Sequence, residues 1–399
     1  MNRYDLITPE GTRDLLFEEC AAVKSVERRL LGIFSMRGFS EVVTPGLEFY
    51  DVFDLKSRYF PPETMYKLVD NKARLMVVRP DSTMPIARMT ATRLAAQELP
   101  IRLCYSQSVY RNRPSMRGRR DEIRQTGIEI IGSADRRADL EMLSEALEAL
   151  DSFKTGSSRL ELGHIGFFKA LLSRLDCDAD TKEEIRSLIE FKNFPALGDL
   201  LDSIDDPADA AALRQLPRLF GGEEVFEKAR LLIGADNAEA ENALAELEDI
   251  YTQAKALGYS GEITVDLGLV NRMDYYTGIV VKGYIEDVGD AVLSGGRYDR
   301  LLSEFGLDMP ATGFAVNTDS VARAEMKYAD YSVKPVDVIV YGDSAHIPEA
   351  LTHIKALTAQ GLRAESALFG DPEDVREYAR SKGIKRIDTV TDTVVTENI

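Results

Sequence analysis

The chain is short of cysteine, histidine, positive charge and long apolar runs. Its three cysteines, Cys20, Cys104 and Cys177, lie far apart. That excludes a disulfide framework and gives no metal-binding spacing. The three histidines, His164, His346 and His353, form no cluster with one another or with cysteine, which argues against a metal site and a histidine-based triad. No run of 18 apolar residues occurs, so no transmembrane helix and no membrane partner are predicted. The opening MNRYDLITPEGTRDLL has no apolar signal core, and the expected location is the cytosol. Lysine and arginine number 49 against 67 acidic residues, a net charge of −18. A protein held to nucleic acid by phosphate contacts usually shows a basic face, so this balance argues against RNA binding while leaving room for a local basic patch.

What is present is an ordinary globular mix, 44% hydrophobic and 29% charged over 399 residues. That length predicts two or three domains. Helical spacing of Val23, Val26, Leu30, Ile33 and Phe34 predicts a helix over 17–36, stopped by Gly38. FSEVVTPGLEFYDVF, 39–53, reads as a strand interrupted by Pro45 at an edge or interface. Two short strands, 65–70 and 73–81, a helix over 84–97, and two strands, 101–113 and 121–132, joined by the basic loop PSMRGRR follow. After a helix over 136–150 and a strand–helix pair comes an acidic, Ala/Leu/Glu-rich helical insertion at about 176–258. Strands are predicted at 263–283 and 290–293, then a last helix at 315–327. A linker, 327–335, leads to a strand–helix–strand–helix–strand pattern, which predicts a small α/β domain with a parallel sheet over 336–399.

Five blocks carry candidate chemistry. RPDST, 79–83, fits first a helix N-cap, which does not exclude recognition of an ammonium group by Asp81 and Thr83. In YRNRPSMRGRRDEIRQTGIE, 110–129, Gln125 and Glu129 share one face of a strand opposite Arg111, an arrangement suited to a small zwitterion. Arg117, Arg119 and Arg120 suit either phosphate contacts or a solvated hairpin. LGLVNRMDYYTGIVV, 267–281, reads as a strand in which Arg272, Asp274 and Tyr276 share a face and Asn271 and Tyr275 share the other. SGGRYDRL, 294–301, fits a tight turn, or a close backbone approach with Tyr298 in a pocket. ATGFAVNTDSVARA, 311–324, runs from a glycine-bearing strand end into a helix.

In this order and spacing the blocks resemble the histidyl-tRNA synthetase family of class II synthetases, from about residue 8 to 325. GFSEVVTPGLE resembles motif 1, the dimer interface. YRNRPSMRGRRDEIRQTGIEIIG resembles motif 2, which binds ATP, and GFAVNTDS resembles motif 3. MDYYTG and GGRYD resemble the family's histidine-binding segments. The resemblance implies an α+β fold over 1–326: a six-stranded antiparallel sheet flanked by helices, carrying the helical insertion. The C-terminal domain resembles an anticodon-binding domain cut short after its third strand, which makes tRNA a poor partner. The family's histidine-binding residues match Asp81, in place of a longer glutamate, and Thr83, Arg111, Gln125, Glu129, Tyr276 and Tyr298.

The family's ATP machinery does not match. Arg113 stands where the family has the glutamate that reads adenine. Ser320 replaces the arginine ending motif 3, with Arg323 the nearest cation. Asn271 replaces the arginine that promotes attack on the α-phosphate, and Arg272 occupies a glycine position on the opposite face. Losing one preorganised charge typically costs about 3–4 kcal/mol of transition-state stabilisation, so adenylate formation is expected to be abolished. This pattern resembles a non-catalytic branch of the family, the regulatory subunits of ATP phosphoribosyltransferase. It implies no catalytic residues and no cofactor. It also implies a homodimer that joins short-form catalytic subunits in a hetero-oligomer, and feedback control by L-histidine in the first step of histidine biosynthesis. The alternative is a divergent amino-acid-activating enzyme.

Overall fold

The structure, a computed structural model, describes residues 4–55, 60–112, 120–204, 207–233, 237–270 and 275–399, with the side chains of 207–209 set aside. The chain divides into two compact units, Met1–Tyr331 and Ser332–Ile399.

The first unit begins with α1 (Phe17–Met36), whose apolar stripe buries Val23, Val26, Leu30 and Phe34. The 39–53 segment is two short strands in different sheets rather than one. β1 (Ser40–Glu41) joins the large sheet, whereas β2 (Leu47–Phe49) pairs with a hairpin made of β3 (Lys67–Val69) and β4 (Leu75–Val78). The break falls at Pro45, which cannot donate to a ladder. In the hairpin turn Asp70 accepts from the backbone N–H of Lys72 and Arg74. α2 (Thr83–Met89) is shorter than its apolar pattern predicts and passes into a single wide helical turn over Thr90–Leu94.

β5 (Ile101–Tyr110), β6 (Glu122–Ile131), α3 (Arg136–Ser152), β7 (Ser158–His164) and α4 (Ile165–Arg174) follow. The inserted helices are α5 (Ala179–Glu190), α6 (Phe194–Asp202), α7 (Pro207–Gln215), α8 (Glu224–Arg230) and α9 (Ala238–Lys255), with β8 (Phe220–Gly221) among them. The unit closes with β9 (Glu262–Asp266), β10 (Ile279–Ile285), β11 (Leu293–Arg297), β12 (Ala311–Asn317) and α10 (Thr318–Glu325).

The sheet is larger than expected: nine strands in the order β1-β5-β6-β12-β11-β10-β7-β9-β8. Its six central strands, β5 to β7 in that order, are all antiparallel, and parallel pairs flank them at β1–β5 and β7–β9. Helices α1, α3 and α10 pack on the sheet. Beneath them Arg297 and Asp139, both nearly fully buried, form a two-pronged ion pair at 2.8–2.9 Å.

The predicted strand over 267–281 is interrupted. Asp266 accepts from Gly268 N at 2.9 Å, and Leu269 N returns to Asp266 O, so the side chain of Asp266 turns the backbone out of the sheet. The strand resumes at Ile279. β11 starts later than predicted and includes both glycines of SGGRYD. A Cβ on Gly295 would lie 2.2 Å from Gly313 O, so only glycine allows the strands to approach there. The last helix starts at Thr318, after a strand ending in Asn317, whose side chain caps it by accepting from Ser320 N.

The second unit has β13 (Val338–Gly342), α11 (Ile347–Ala359), β14 (Ala364–Ser366), α12 (Pro372–Lys382), β15 (Arg386–Val390) and β16 (Val394–Asn398), in the sheet order β14-β13-β15-β16. The first three strands are parallel as predicted. The tail after β15 is a fourth strand, antiparallel to it, so the sheet is mixed and does not end at three strands.

Candidate functional site

Residues paired across neighbouring strands share a face of a sheet. One such row runs Leu103, Glu129, Gly313, Gly296, Val280. Small residues in its middle open a cavity of about 210 Å³ above the sheet. Sites for drug-sized ligands run to roughly 300–1,000 Å³, so this one suits a smaller molecule. Asp81, Thr83, Arg111, Gln125, Glu129, Tyr276 and Tyr298, the seven residues singled out in the sequence, all line it.

Glu129 is the centre. It is 1% exposed. One carboxyl oxygen receives the Thr83 hydroxyl at 2.8 Å and the other the Tyr298 hydroxyl. A Cβ on Gly313 would stand 2.0 Å from that second oxygen, so the carboxyl occupies space only a glycine leaves. Burial pushes the carboxyl up to about 8, against the two hydroxyl donors and with a smaller push from Asp81. Asp81, 4% exposed, is also raised by burial, and Arg111 opposes the shift. Asp81 accepts from Met84 N at 2.9 Å, so it caps α2 and lines the cavity at once. The Arg111 guanidinium is already engaged: its Nε donates to Pro80 O at 2.8 Å and its Nη2 lies 3.9 Å from Asp81. The Ser82 hydroxyl approaches Gln125 at 3.5 Å. Three tyrosine rings make a wall, with centroids 4.7 Å apart for Tyr275 and Tyr276 and 5.7 Å apart for Tyr275 and Tyr298. Two buried carboxyls, one held largely neutral, and an aromatic wall favour a small ligand with cationic or hydrogen-bond-donating groups.

A profile described as Histidyl-tRNA synthetase matches residues 11–321. The ATP phosphoribosyltransferase regulatory subunit of Clostridium kluyveri is 39% identical over 381 residues, 94% of this chain and 97% of that protein. Its counterpart in Clostridium acetobutylicum is 39% identical over 385 residues, 95% and 94% of the two chains. The chain belongs to the ATP phosphoribosyltransferase regulatory subunit family, within the histidyl-tRNA synthetase fold. A crystal structure described as an ATP phosphoribosyltransferase regulatory subunit/histidyl-tRNA synthetase from Bacillus halodurans C is similar with a TM-score of 0.83 and 29% identity, covering 94% of this chain and 97% of that one. The histidyl-tRNA synthetase of Nostoc sp. PCC 7120, at 19% identity and a TM-score of 0.76, shares the fold.

Arg113, Asn271 and Arg272, which in sequence depart from the synthetase pattern, lie outside the described residues, as do Arg117, Arg119 and Asp274. The facing of the cation at 272 belongs with them. Ser320 is described; it lies in the first turn of α10, and neither it nor Arg323 lines the cavity. Arg120 faces Glu19 at 3.8 Å, in an ion cluster outside this cavity. Tyr275 and Tyr276, assigned to opposite faces by strand alternation, both reach the cavity because the segment before β10 is not a strand.

Sequence reasoning missed Tyr105, Tyr275, Lys282 and Ser294, which also line the cavity. Tyr105 was legible from its pairing row, since it opposes Gly127 two residues from Glu129. Lys282 is the one charged residue in the run IVVKGYI, and Ser294 pairs with it. Among the described residues no three His, Cys, Asp or Glu side chains gather as metal ligands, and no helix is long and apolar enough to cross a membrane. The three cysteines are free.

Proposed function

We propose that the chain is a non-catalytic regulatory subunit that binds L-histidine in this cavity and assembles with short-form catalytic subunits of ATP phosphoribosyltransferase. The observation that carries the reading is the convergence of seven separated residues on one cavity of amino-acid size, with Thr83 and Tyr298 both donating to its buried carboxyl, Glu129. The relatives named as regulatory subunits match over nearly their whole length, which supports the same role here. Ser320 in place of a cation supports the absence of adenylate chemistry. Self-association through the segment that resembles motif 1 is supported by exposed apolar side chains around Pro45: Val43 is 73% exposed, and Leu47 and Phe49 are also exposed. Control by histidine requires that histidine bind the active and inactive assemblies with different affinity.

The test is histidine inhibition of the mixed complex. Glu129→Ala and Tyr276→Phe are expected to weaken histidine binding and to raise the histidine concentration needed for inhibition, while phosphoribosylation without histidine persists. Unchanged affinity and unchanged inhibition in both variants would place the histidine site elsewhere.

A further inference from the structure

The cavity extends beyond the predicted residues. The row next to that of Glu129 runs Gly127, Ala315, Ser294, Lys282. Its first three side chains are small, and they leave a trough across the sheet that ends against a lysine. At the usual spacing between strands, about 14 Å separate the backbones of Gly127 and Lys282. The long lysine side chain covers part of that distance.

The cavity's two cations differ in how they are satisfied. Arg111 is tied to Pro80 O and faces Asp81. Lys282 has no hydrogen bond or ion pair of its own among the described residues. It is half-buried, and burial draws its pKa down against the pull of Asp266, Glu161 and Glu190, with Lys192 acting in the same sense as burial. Glu161 is the cross-strand neighbour of Lys282 on β7 but is paired with Arg159 at 2.8 Å, and no ion pair within 4 Å joins Lys282 to any of the three among the described residues. An ammonium group withdrawn from water without a close partner is costly, and an anion carried in by a ligand relieves that cost.

Resting on the reading of this cavity as a histidine site, we infer that Lys282 is its carboxylate anchor and specificity-determining residue. The ligand's α-carboxylate docks on the Lys282 ammonium, beside the Ser294 hydroxyl. Its amino and ring nitrogens face the Asp81–Glu129 end. The ligand class is therefore the free α-amino acid, in preference to its ester, alcohol or decarboxylated amine.

The experiment is calorimetry on the full chain with L-histidine, L-histidinol and L-histidine methyl ester. It compares wild type, Lys282→Met, Lys282→Arg and, as a control on the cavity itself, Glu129→Ala. Wild type is expected to prefer histidine. Lys282→Met keeps the apolar stem and removes the charge, and should weaken histidine binding on the order of 10- to 100-fold, the range for one charged hydrogen bond. It should leave histidinol binding nearly unchanged, so the preference collapses, and Lys282→Arg should restore much of it. A purely structural role for Lys282 would weaken all three ligands alike. If Glu129→Ala abolishes binding while Lys282→Met keeps the wild-type preference, the inference about Lys282 falls and the cavity reading stands. If Glu129→Ala leaves histidine affinity intact, both fall.

Discussion

Replacing Glu129 by glutamine should make the protein more resistant to alkaline pH. The folded carboxyl titrates near 8, against an ordinary value of 4.5. Below about pH 4.5 both the folded and the unfolded chain hold this proton, and Glu129 adds no pH dependence. Between 4.5 and 8 the unfolded chain has lost the proton and the folded chain keeps it. Stability therefore falls as pH rises through that window and levels off above it. The shift corresponds to on the order of 5 kcal/mol, at about 1.4 kcal/mol per pH unit. Because the group is 1% exposed, solvent screening does little to reduce it. The amide of the Glu129→Gln variant fills nearly the same volume, can still accept from Tyr298, and carries no charge at any pH. Its cost is the altered geometry at Thr83, about 1 kcal/mol. The assay is denaturant unfolding of wild type and Glu129→Gln at intervals from pH 5 to 9. Wild type should be comparable to or slightly more stable than the variant at pH 5. By pH 8 to 9 the variant should be the more stable by several kcal/mol. Parallel pH profiles would refute the argument that burial holds this carboxyl neutral.

Other substitutions test neighbouring steps. Gly313→Ala places a Cβ 2.0 Å from the Glu129 carboxyl and 2.3 Å from Ile128 O; it should destabilise the fold by about 1–3 kcal/mol and abolish histidine binding, so a variant binding histidine normally would show the contact is not limiting. Asp139→Ala leaves Arg297, 6% exposed, without its two-pronged partner, and should cost about 3–5 kcal/mol in denaturant unfolding; a loss below about 1 kcal/mol would mean that Asp299 and the carbonyl of Ser133, at 3.1 and 3.2 Å, suffice for the guanidinium. Tyr298→Phe removes one of the two hydroxyl donors to Glu129, so its carboxyl should titrate above the wild-type value in a spectroscopic titration, and an unchanged titration would assign the shift elsewhere.

The candidate site was legible because its residues sit on regular strands or caps, where position fixes facing. Gln125 and Glu129 share a face by simple alternation, and the cavity contains both. Asp81 was open between cap and ligand group; it accepts from Met84 N and also lines the cavity. Reading failed where a side chain overrides the strand pattern. Asp266 captures Gly268 N and ends the strand, and residues 267–270 and 275–278 lie outside any strand, so the period-2 alternation that splits Tyr275 from Tyr276 does not apply. β1 and β9 fall within the strands predicted over 39–53 and 263–283, but their parallel pairing with β5 and β7 was not legible, and β16 lies in what reads as a short tail. A two-residue strand such as Ser40–Glu41 carries no periodicity, and its place is set by β5 rather than by its own sequence. The glycines of β11 read as a turn because their role is to admit the neighbouring strands, Gly313 O beside Gly295 and Ile279 O beside Gly296, contacts set by strand pairing rather than by local sequence.

The most direct measurement combines this chain with a short-form ATP phosphoribosyltransferase catalytic subunit from the same source. Phosphoribosyl-ATP formation from ATP and phosphoribosyl pyrophosphate is followed for each protein alone and for the mixture. Histidine-dependent ATP–pyrophosphate exchange by this chain is measured in parallel. The account predicts phosphoribosyl-ATP formation that depends on mixing, its inhibition by histidine, and no exchange. Robust exchange by this chain alone, with no effect on the catalytic subunit, would contradict it and identify an amino-acid-activating enzyme.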